Sequence, residues 1–234
     1  MRVTAVDEFT IRGDMEDDFH RFGVTLRHDG ERVVEVEGDA LRHPWTTCPS
    51  AVEPLRALAG APLSTRLSSL GEYAPARQNC THLFDLSGLA VAHAARGTGG
   101  TRTYDVAIPD RDGKRTEPEL WRDGELLFRW QIAGRLLIGP APFENIELRG
   151  GFIAWAEDTL DADTAEAASV LRRACDISFG RAIDLDVFEK AEMLGEPVRG
   201  TCHSFQPGMI EQAVRVMGQT RDFSDDADAL LRDR

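Results

Sequence analysis

The stretch that decides the fold is residues 19–39, which read FHRFGVTLRHDGERVVEVEGD. Apolar residues alternate before the turn, at positions 22, 24 and 26, and after it, at positions 34 and 36, which predicts a β-hairpin. A two-residue turn at 29–30 would put the two apolar sets on opposite faces. A three-residue loop at 28–30, with Gly30 in the left-handed conformation, pairs position 24 with 34 and 22 with 36. We therefore predict the three-residue loop.

A second hairpin is predicted over residues 117–132. A two-residue Asp123-Gly124 turn would pair position 121 with 126 and 119 with 128, so that Trp121, Phe128 and Trp130 share one face. Alternating or apolar runs predict further strands at 104–108, 136–138 and 146–156.

Start and stop residues predict four helices, over 49–59, 79–96, 163 to about 175, and from Pro207 onward. In the last of these, Ile210, Val214 and Met217 would share a face. Strands joined by tight turns, with the helices set apart from them, predict an α+β fold in which an antiparallel sheet built from hairpins is packed by helices. We expect a single domain over 1–234, and the glycine-rich residues 97–101 mark where two lobes would meet.

Composition limits the partners. The chain has 40 Asp and Glu against 27 Lys and Arg, a net charge of −13, which would repel a phosphate backbone and argues against nucleic acid. No apolar run suits a signal peptide or a membrane span. Four cysteines without close spacing are typical of free thiols in a reducing compartment. We therefore expect a cytoplasmic protein with a small-molecule substrate; a homo-oligomer is left open.

Several nucleotide and hydrolase signatures are missing from the sequence. It contains no phosphate-binding loop, no Gly-x-Gly-x-x-Gly after a strand, no Gly-x-Ser-x-Gly and no His-Glu-x-x-His. ATP, NAD and flavin chemistry is therefore not expected, and no cofactor is predicted.

The most informative short segment is Asn79-Cys80-Thr81-His82-Leu83. Asn79 is a good N-cap, which would place Cys80 and His82 in the first turn of a helix. Unpaired backbone amides and the helix dipole favour a thiolate there and would lower the pKa of Cys80. The alternative is a small buried thiol beside a histidine that hydrogen-bonds locally.

Two other cysteines flank predicted helix starts. Cys48 immediately precedes Pro49, and Cys202-His203 lies shortly before Pro207. If folding brings these starts together, one outcome is a zinc site that uses Cys48, Cys80 and either His82 or His203. The preferred outcome is a metal-free pocket in which helix amides bind an anion and a Cys or His acts as nucleophile or base.

Glu119 is a further candidate acid or base. The predicted register of the second hairpin puts its carboxylate on the aromatic face, where burial would raise its pKa. The favoured interpretation is that it lies at the sheet margin, reaches water, or pairs with an arginine such as Arg102.

Three segments carry a resemblance to a known family. They are His43-Pro44-Trp45-Thr46-Thr47-Cys48-Pro49, Cys80-Thr81-His82-Leu83, and Cys202-His203-Ser204-Phe205-Gln206-Pro207. Together they resemble a bacterial family known as a domain of unknown function, over most of the chain. The resemblance marks positions and implies no settled activity; an association with aromatic-compound catabolism would suit the aromatic face of the second hairpin.

The sequence hypothesis is a small-molecule enzyme, a lyase or hydrolase that acts on an aromatic or acyl compound. Its catalytic candidates are His82, as the acid or base, with Cys80, Cys48, His203 and Glu119. The alternative is a non-catalytic small-molecule-binding or assembly protein in which the cysteines are packing residues.

Overall fold

A computed structural model of the chain describes residues 1–232. The chain divides into two compact units: the first comprises Met1–Thr101 and the segment that begins at Leu185, and the second is Arg102–Asp184. The first division falls at the end of the glycine-rich stretch 97–101, and the single domain stays a prediction. Within residues 1–232, no helix combines the length and apolar character needed to cross a membrane.

The sheet of the first unit has four antiparallel strands in the order β4-β3-β2-β1. Their bounds are β1 (Arg2–Asp7), β2 (Thr10–Glu16), β3 (Arg21–His28) and β4 (Val33–Arg42). The predicted hairpin of residues 19–39 supplies β3 and β4. The sequence prediction did not include β1 and β2.

Rows of paired residues across β2, β3 and β4 form the buried face of this sheet. One row is Met15, Phe22 and Ala40, and another is Ile11, Leu26 and Val36. The row between them is Gly13, Val24 and Gly38. Because two of its three residues lack a side chain, this middle row forms a trough in the face of the sheet.

Two helices of the first unit occupy that trough. They are α1 (Thr81–Arg96) and a 3₁₀ helix, Cys48–Leu58. A Cβ added at Gly13 would lie 3.0 Å from the side chain of Leu86 in α1, and one at Gly38 would lie 2.9 Å from Val52 in the 3₁₀ helix. The two glycines therefore set how closely the helices approach the strands. The short 3₁₀ helices of this unit lie at Leu67–Glu72, Ala76–Gln78, Leu185–Val187, Ala191–Leu194, Glu196–Val198, His203–Phe205 and Ala227–Ala229.

The predicted register of the β3–β4 hairpin is wrong. Leu26 pairs with Val36 and His28 pairs with Val33, so the connection is four residues long. The side chain of Asp29 accepts hydrogen bonds from the backbone N–H groups of residues 31 and 32, which stabilises the longer turn. Val33 and Val36 are buried as a result, and Val34 is exposed.

The second unit contains two three-stranded groups and two α-helices. One group is ordered β5-β7-β8 and the other β10-β9-β6, with all pairs antiparallel. The strands are β5 (Thr101–Ala107), β6 (Arg115–Thr116), β7 (Glu119–Arg122), β8 (Glu125–Arg129), β9 (Gln131–Ala133) and β10 (Leu136–Gly139). The helices are α2 (Phe152–Thr159) and α3 (Ala162–Ser178), followed by a 3₁₀ turn, Phe179–Ala182. The predicted α+β class is confirmed.

The Asp123-Gly124 turn is confirmed, but the register beyond it is not as predicted. Trp121 pairs with Leu126, and a bulge then shifts the ladder so that Glu119 pairs with Arg129 instead of residue 128. Both turn residues have positive φ, 53° at Asp123 and 86° at Gly124, as a tight hairpin requires.

Two predicted elements are wrong. Residues 146–156 do not form a strand; α2 begins at Phe152 after Gly151, whose φ is 111°. The segment after Pro207 makes hydrogen-bonded turns and then isolated bridges from Val214 to Lys190 and from Arg215 to Trp45. Gly208 follows Pro207 at φ 84°, a left-handed conformation that stops a helix from starting there.

The observed helix boundaries also differ from the predicted ones. The 49–59 segment is a 3₁₀ helix that contains Pro54, which has no N–H to donate. The N-cap of α1 is Cys80 rather than Asn79, and Gly97 ends the helix at φ 62° as predicted. The N-cap of α3 is Asp161, whose side chain accepts hydrogen bonds from the N–H groups of Asp163 and Thr164.

Gly13→Val tests whether the absence of a side chain at Gly13 allows α1 to pack closely on the sheet. The new side chain would overlap Leu86, and we expect it to lower the free energy of unfolding by about 1–3 kcal/mol, measured by urea denaturation. Gly71→Val is the control, because a Cβ at Gly71 meets no atom within 4 Å. Equal losses in the two variants would contradict a close approach at Gly13.

Candidate functional site

The structure brings the three cysteine segments of the first unit together. Cys48 is the first residue of its 3₁₀ helix, Cys80 is the N-cap of α1, and Cys202 is the N-cap of the 3₁₀ turn His203–Phe205. Hydrogen bonds join the segments. The thiol of Cys48 lies 3.4 Å from the hydroxyl of Ser204, and the backbone N–H of His203 donates to the carbonyl of Asn79 at 3.0 Å.

Burial disfavours the thiolate form of Cys48 and Cys80. Burial raises the pKa of Cys80, and the nearby Cys48 and Cys202 raise it further. The backbone N–H groups of His82 and Leu83 act in the opposite direction, as a helix start should, but burial outweighs them. Burial likewise raises the pKa of Cys48. The expected lowering of the Cys80 pKa is therefore wrong, because a helix start stabilises a thiolate only where water or a cation helps to solvate it.

His203 lies on the outer side of the cysteine cluster. Its Nε2 is 2.9 Å from the hydroxyl of Ser50, and partial burial lowers its pKa. This contact joins the Cys202 segment to the 3₁₀ helix that starts at Cys48. The side chain of His203 is thus part of the packing between two segments.

A second cluster forms where β2 turns into β3. The carboxylate of Asp17 accepts hydrogen bonds from the backbone N–H groups of Phe19 and His20, both at 2.8 Å, and the N–H of Asp17 donates to the carbonyl of His20. The Nδ1 of His20 lies 3.0 Å from Oδ1 of Asp17. This turn therefore holds a carboxylate and an imidazole in one fixed arrangement.

His82 joins this turn from the first turn of α1. Its Nε2 lies 3.6 Å from Oδ2 of Asp17, and its Nδ1 lies 4.0 Å from the thiol of Cys80. The rings of His20 and His82 have centroids 4.0 Å apart and planes inclined by 34°. His82 therefore lies between the two clusters and shares the carboxylate of Asp17 with His20.

The pKa of Asp17 is held well below its usual range. Burial raises it, but the charge of His20 and the hydrogen bond from His20, together with the charge of His82 and the N–H of Phe19, more than offset that effect. The carboxylate is consequently ionised across the physiological range.

Arg42 fixes the position of the turn. Its buried guanidinium donates to the backbone carbonyls of Asp17, Asp18 and His20, and also to Glu16. Nearby, His43 is close enough to His20 for the charge of His20 to lower its pKa, although burial is the larger cause.

The turn and α1 together supply a set of metal-ligating atoms. One atom from each of Asp17, His20 and His82 lies within 4.8 Å of the other two. Among the described residues, 1–232, this is the one group of three or more Cys, His, Asp or Glu side chains with that spacing. It contains no cysteine. Cys48, Cys80 and a histidine, the alternative zinc set that the sequence left open, do not form such a group.

Glu119 lies in the second unit, at the start of β7. Its carboxylate forms an ion pair with Arg129, the residue opposite it across the β7–β8 ladder. Pairing with an arginine was the favoured interpretation of Glu119, although the partner is Arg129 and not Arg102. Arg102 is bound by Asp163 and Glu166 of α3.

Sequence reasoning missed Asp17 and His20. The run Glu16-Asp17-Asp18 looks like a solvated acidic face, and His20 precedes the strand pattern that defined the first hairpin. The signal that could have found them is the Asp-x-x-His spacing across a tight turn, since Asp favours the first position of such turns.

Comparison of the chain with protein-family models, with curated proteins and with solved structures found no match. The resemblance of the three cysteine-bearing segments to a bacterial domain of unknown function stays a prediction.

Alkylation tests the state of the thiols. We expect Cys48 and Cys80, each with 7% of its surface exposed, to resist iodoacetamide in the folded protein at pH 8 and to react after unfolding in urea. Cys202 is more exposed and serves as the internal control. Peptide mass spectrometry gives the labelled fraction at each site, and rapid labelling of Cys80 in the folded protein would contradict its burial.

The stability of the protein should also depend on these thiols at high pH. A thiol whose folded pKa is raised contributes its full stability below the unfolded pKa of about 8.5 and loses it as the pH rises, since the unfolded chain then ionises first. Each such thiol lowers the free energy of unfolding by about 1.4 kcal/mol per pH unit above pH 9. Cys80→Ala should therefore flatten the decline measured by urea denaturation at pH 8, 9 and 10.

Ser204→Ala is the matched control for that experiment. It alters a buried neighbour of Cys48 without removing an ionisable group. Its effect on stability should be the same at all three pH values. An unchanged slope in Cys80→Ala would show that this thiol ionises as readily in the folded protein as in the unfolded chain.

Proposed function

We propose that the chain is an enzyme that acts on a small molecule, a hydrolase or lyase for an aromatic or acyl compound, and that its reacting centre is Asp17, His20 and His82. The observation that supports this most directly is one ionised carboxylate shared by two imidazoles at a rigid turn. Two imidazole rings beside one carboxylate bring together groups that can exchange protons.

The chemistry follows from the contact between Asp17 and His20. A carboxylate that hydrogen-bonds to Nδ1 of an imidazole orients the ring and stabilises it when Nε2 takes up a proton. His20 would take a proton from water or from a carbon next to a carbonyl group, and Asp17 would offset the positive charge that develops on the ring. Hydrolysis and lyase elimination both need this step.

Access to the centre comes from the turn side. The side chain of Asp17 is 25% exposed and that of His20 is 12% exposed, whereas His82 is 6% exposed. A substrate would therefore approach Asp17 and His20, with His82 as the inner wall. The sequence predicts His82 as the acid or base. In this arrangement His20, the more exposed of the two rings, is the group that exchanges a proton with the substrate.

The cysteines have a supporting role in this proposal. The raised pKa values of Cys48 and Cys80 favour neutral thiols, which are poor nucleophiles. Cys80 lies against Nδ1 of His82 and so contributes to the orientation of that ring. None of the four cysteines, all of which the structure describes, forms a disulfide bond, which suits the cytoplasm as the place where the enzyme works.

The test is conversion of metabolites by the purified protein. Small molecules extracted from a bacterial lysate are incubated with the wild-type chain, and untargeted mass spectrometry follows which compounds disappear and which appear. Asp17→Asn should slow the conversion by about 100-fold or more. Asn keeps an oxygen that accepts the N–H groups of Phe19 and His20, so the turn is retained while the charge is lost.

Cys48→Ser is the matched control, since it changes a buried group of the neighbouring cluster. It should convert the same compounds at a rate close to that of the wild type. Loss of conversion in Cys48→Ser with full activity in Asp17→Asn would move the reacting centre to the cysteines. If the wild-type chain binds a compound without converting any, the proposal fails in favour of a non-catalytic binding protein.

A further inference from the structure

We infer that Asp17, His20 and His82 bind one divalent transition-metal ion. The inference rests on the proposed function only for the catalytic role of the ion, because binding itself is measured separately. The donor set is one carboxylate and two imidazoles. This is the ligand type of catalytic zinc sites and of non-haem iron(II) sites.

The spacing of the donor atoms suits a shared ion. Two ligands at the usual distance of about 2.1 Å from a tetrahedral metal lie about 3.4 Å apart. The Oδ2 of Asp17 lies 3.2 Å from Nδ1 of His20 and 3.6 Å from Nε2 of His82. The remaining side of the triangle, between the two imidazoles, is no longer than 4.8 Å. A small rotation of either ring closes it.

The surroundings of the donors also suit an ion. The backbone N–H groups of Phe19 and His20 donate hydrogen bonds to the carboxylate of Asp17 and orient it. Nδ1 of His82 faces the thiol of Cys80, which leaves Nε2 directed at the centre. Contacts of this kind, from an outer group to a ligand, fix the orientation of ligating side chains.

The two imidazoles decide the class of ion. Mg²⁺ and Ca²⁺ prefer oxygen donors throughout, whereas imidazole suits zinc, iron and their neighbours. Binding would replace the proton shared by Asp17 and His20, and a water on the ion would then serve as the base in place of His20. This deepens the proposed function, because it names what supplies the base at the same centre.

Metal binding is tested on the full-length chain, stripped with a chelator and dialysed. Titration with Zn²⁺ in a calorimeter should give one site per chain. Asp17→Asn and His82→Gln should each weaken zinc binding by about 100-fold or more, since even outer-shell changes cost 10–100-fold. His20→Gln, at the more exposed ring, is the second variant in case His82→Gln does not fold, which circular dichroism decides.

His203→Gln is the matched control. His203 belongs to the cysteine cluster and contacts Ser50, so its loss should leave zinc affinity unchanged. Co²⁺ adds a spectroscopic check: an Asp/His/His site gives visible absorption without the thiolate-to-cobalt band in the near ultraviolet. A thiolate band that disappears in Cys80→Ser would assign the ion to the cysteines and overturn the inference.

The remaining outcomes separate this inference from the proposed function. If the wild-type chain fails to bind zinc, cobalt, iron(II) or manganese(II) in stoichiometric amount, or if Asp17→Asn binds as tightly as wild type, the metal inference is wrong. Metabolite conversion by the stripped protein that is lost in Asp17→Asn would then leave the proposed function standing. Stoichiometric binding without any conversion would support the metal site and remove the enzyme.

Discussion

The close approach of α1 to the sheet of the first unit is the constraint on which the other features depend. It exists because Gly13, beside Val24 in the middle row of the buried face, leaves room for Leu86 of α1; Gly38, on the other side of Val24, does the same for Val52 of the 3₁₀ helix. A helix held at that distance has little freedom to slide or rotate, since any shift would drive its side chains into the neighbouring rows. The position of the first turn of α1 is thereby fixed.

That position determines which groups meet. The N-terminal turn of α1 carries Cys80 and His82, and it ends up against two different structures: the cysteine segments and the β2–β3 turn. The burial of Cys48 and Cys80 raises the pKa of both thiols, because an anion there has no water to solvate it and the amides of one helix turn do not compensate. Burial therefore disfavours the charged form of these two thiols, whereas the neighbouring carboxylate of Asp17 is stabilised in its charged form.

The Asp17 carboxylate shows the opposite balance. It is also partly removed from water, but two imidazoles and two backbone N–H groups surround it, and Arg42 holds the turn through its carbonyls. Such a group tolerates ionisation and is pre-organised, so little reorganisation is needed when a proton or a metal ion arrives. Both proposals made for this chain use that one property.

The sequence by itself determined the α+β class, the first hairpin, the Asp123-Gly124 turn and the end of α1 at Gly97, because each depends on alternation or on a φ that neighbouring residues dictate. It also marked Cys80 and His82. Only the tertiary structure decided the β3–β4 register, the neutral state of the thiols and the meeting of His82 with Asp17 and His20. The β3–β4 register depends on the hydrogen bonds that the side chain of Asp29 accepts in the turn, and the pKa of Cys80 depends on its burial. The contact of His82 with Asp17, more than 60 residues away in the chain, depends on how closely α1 packs on the sheet at Gly13. The local sequence does not contain this information, because the register, the thiol pKa and the contact of His82 with the turn all depend on surfaces that form only when the chain packs.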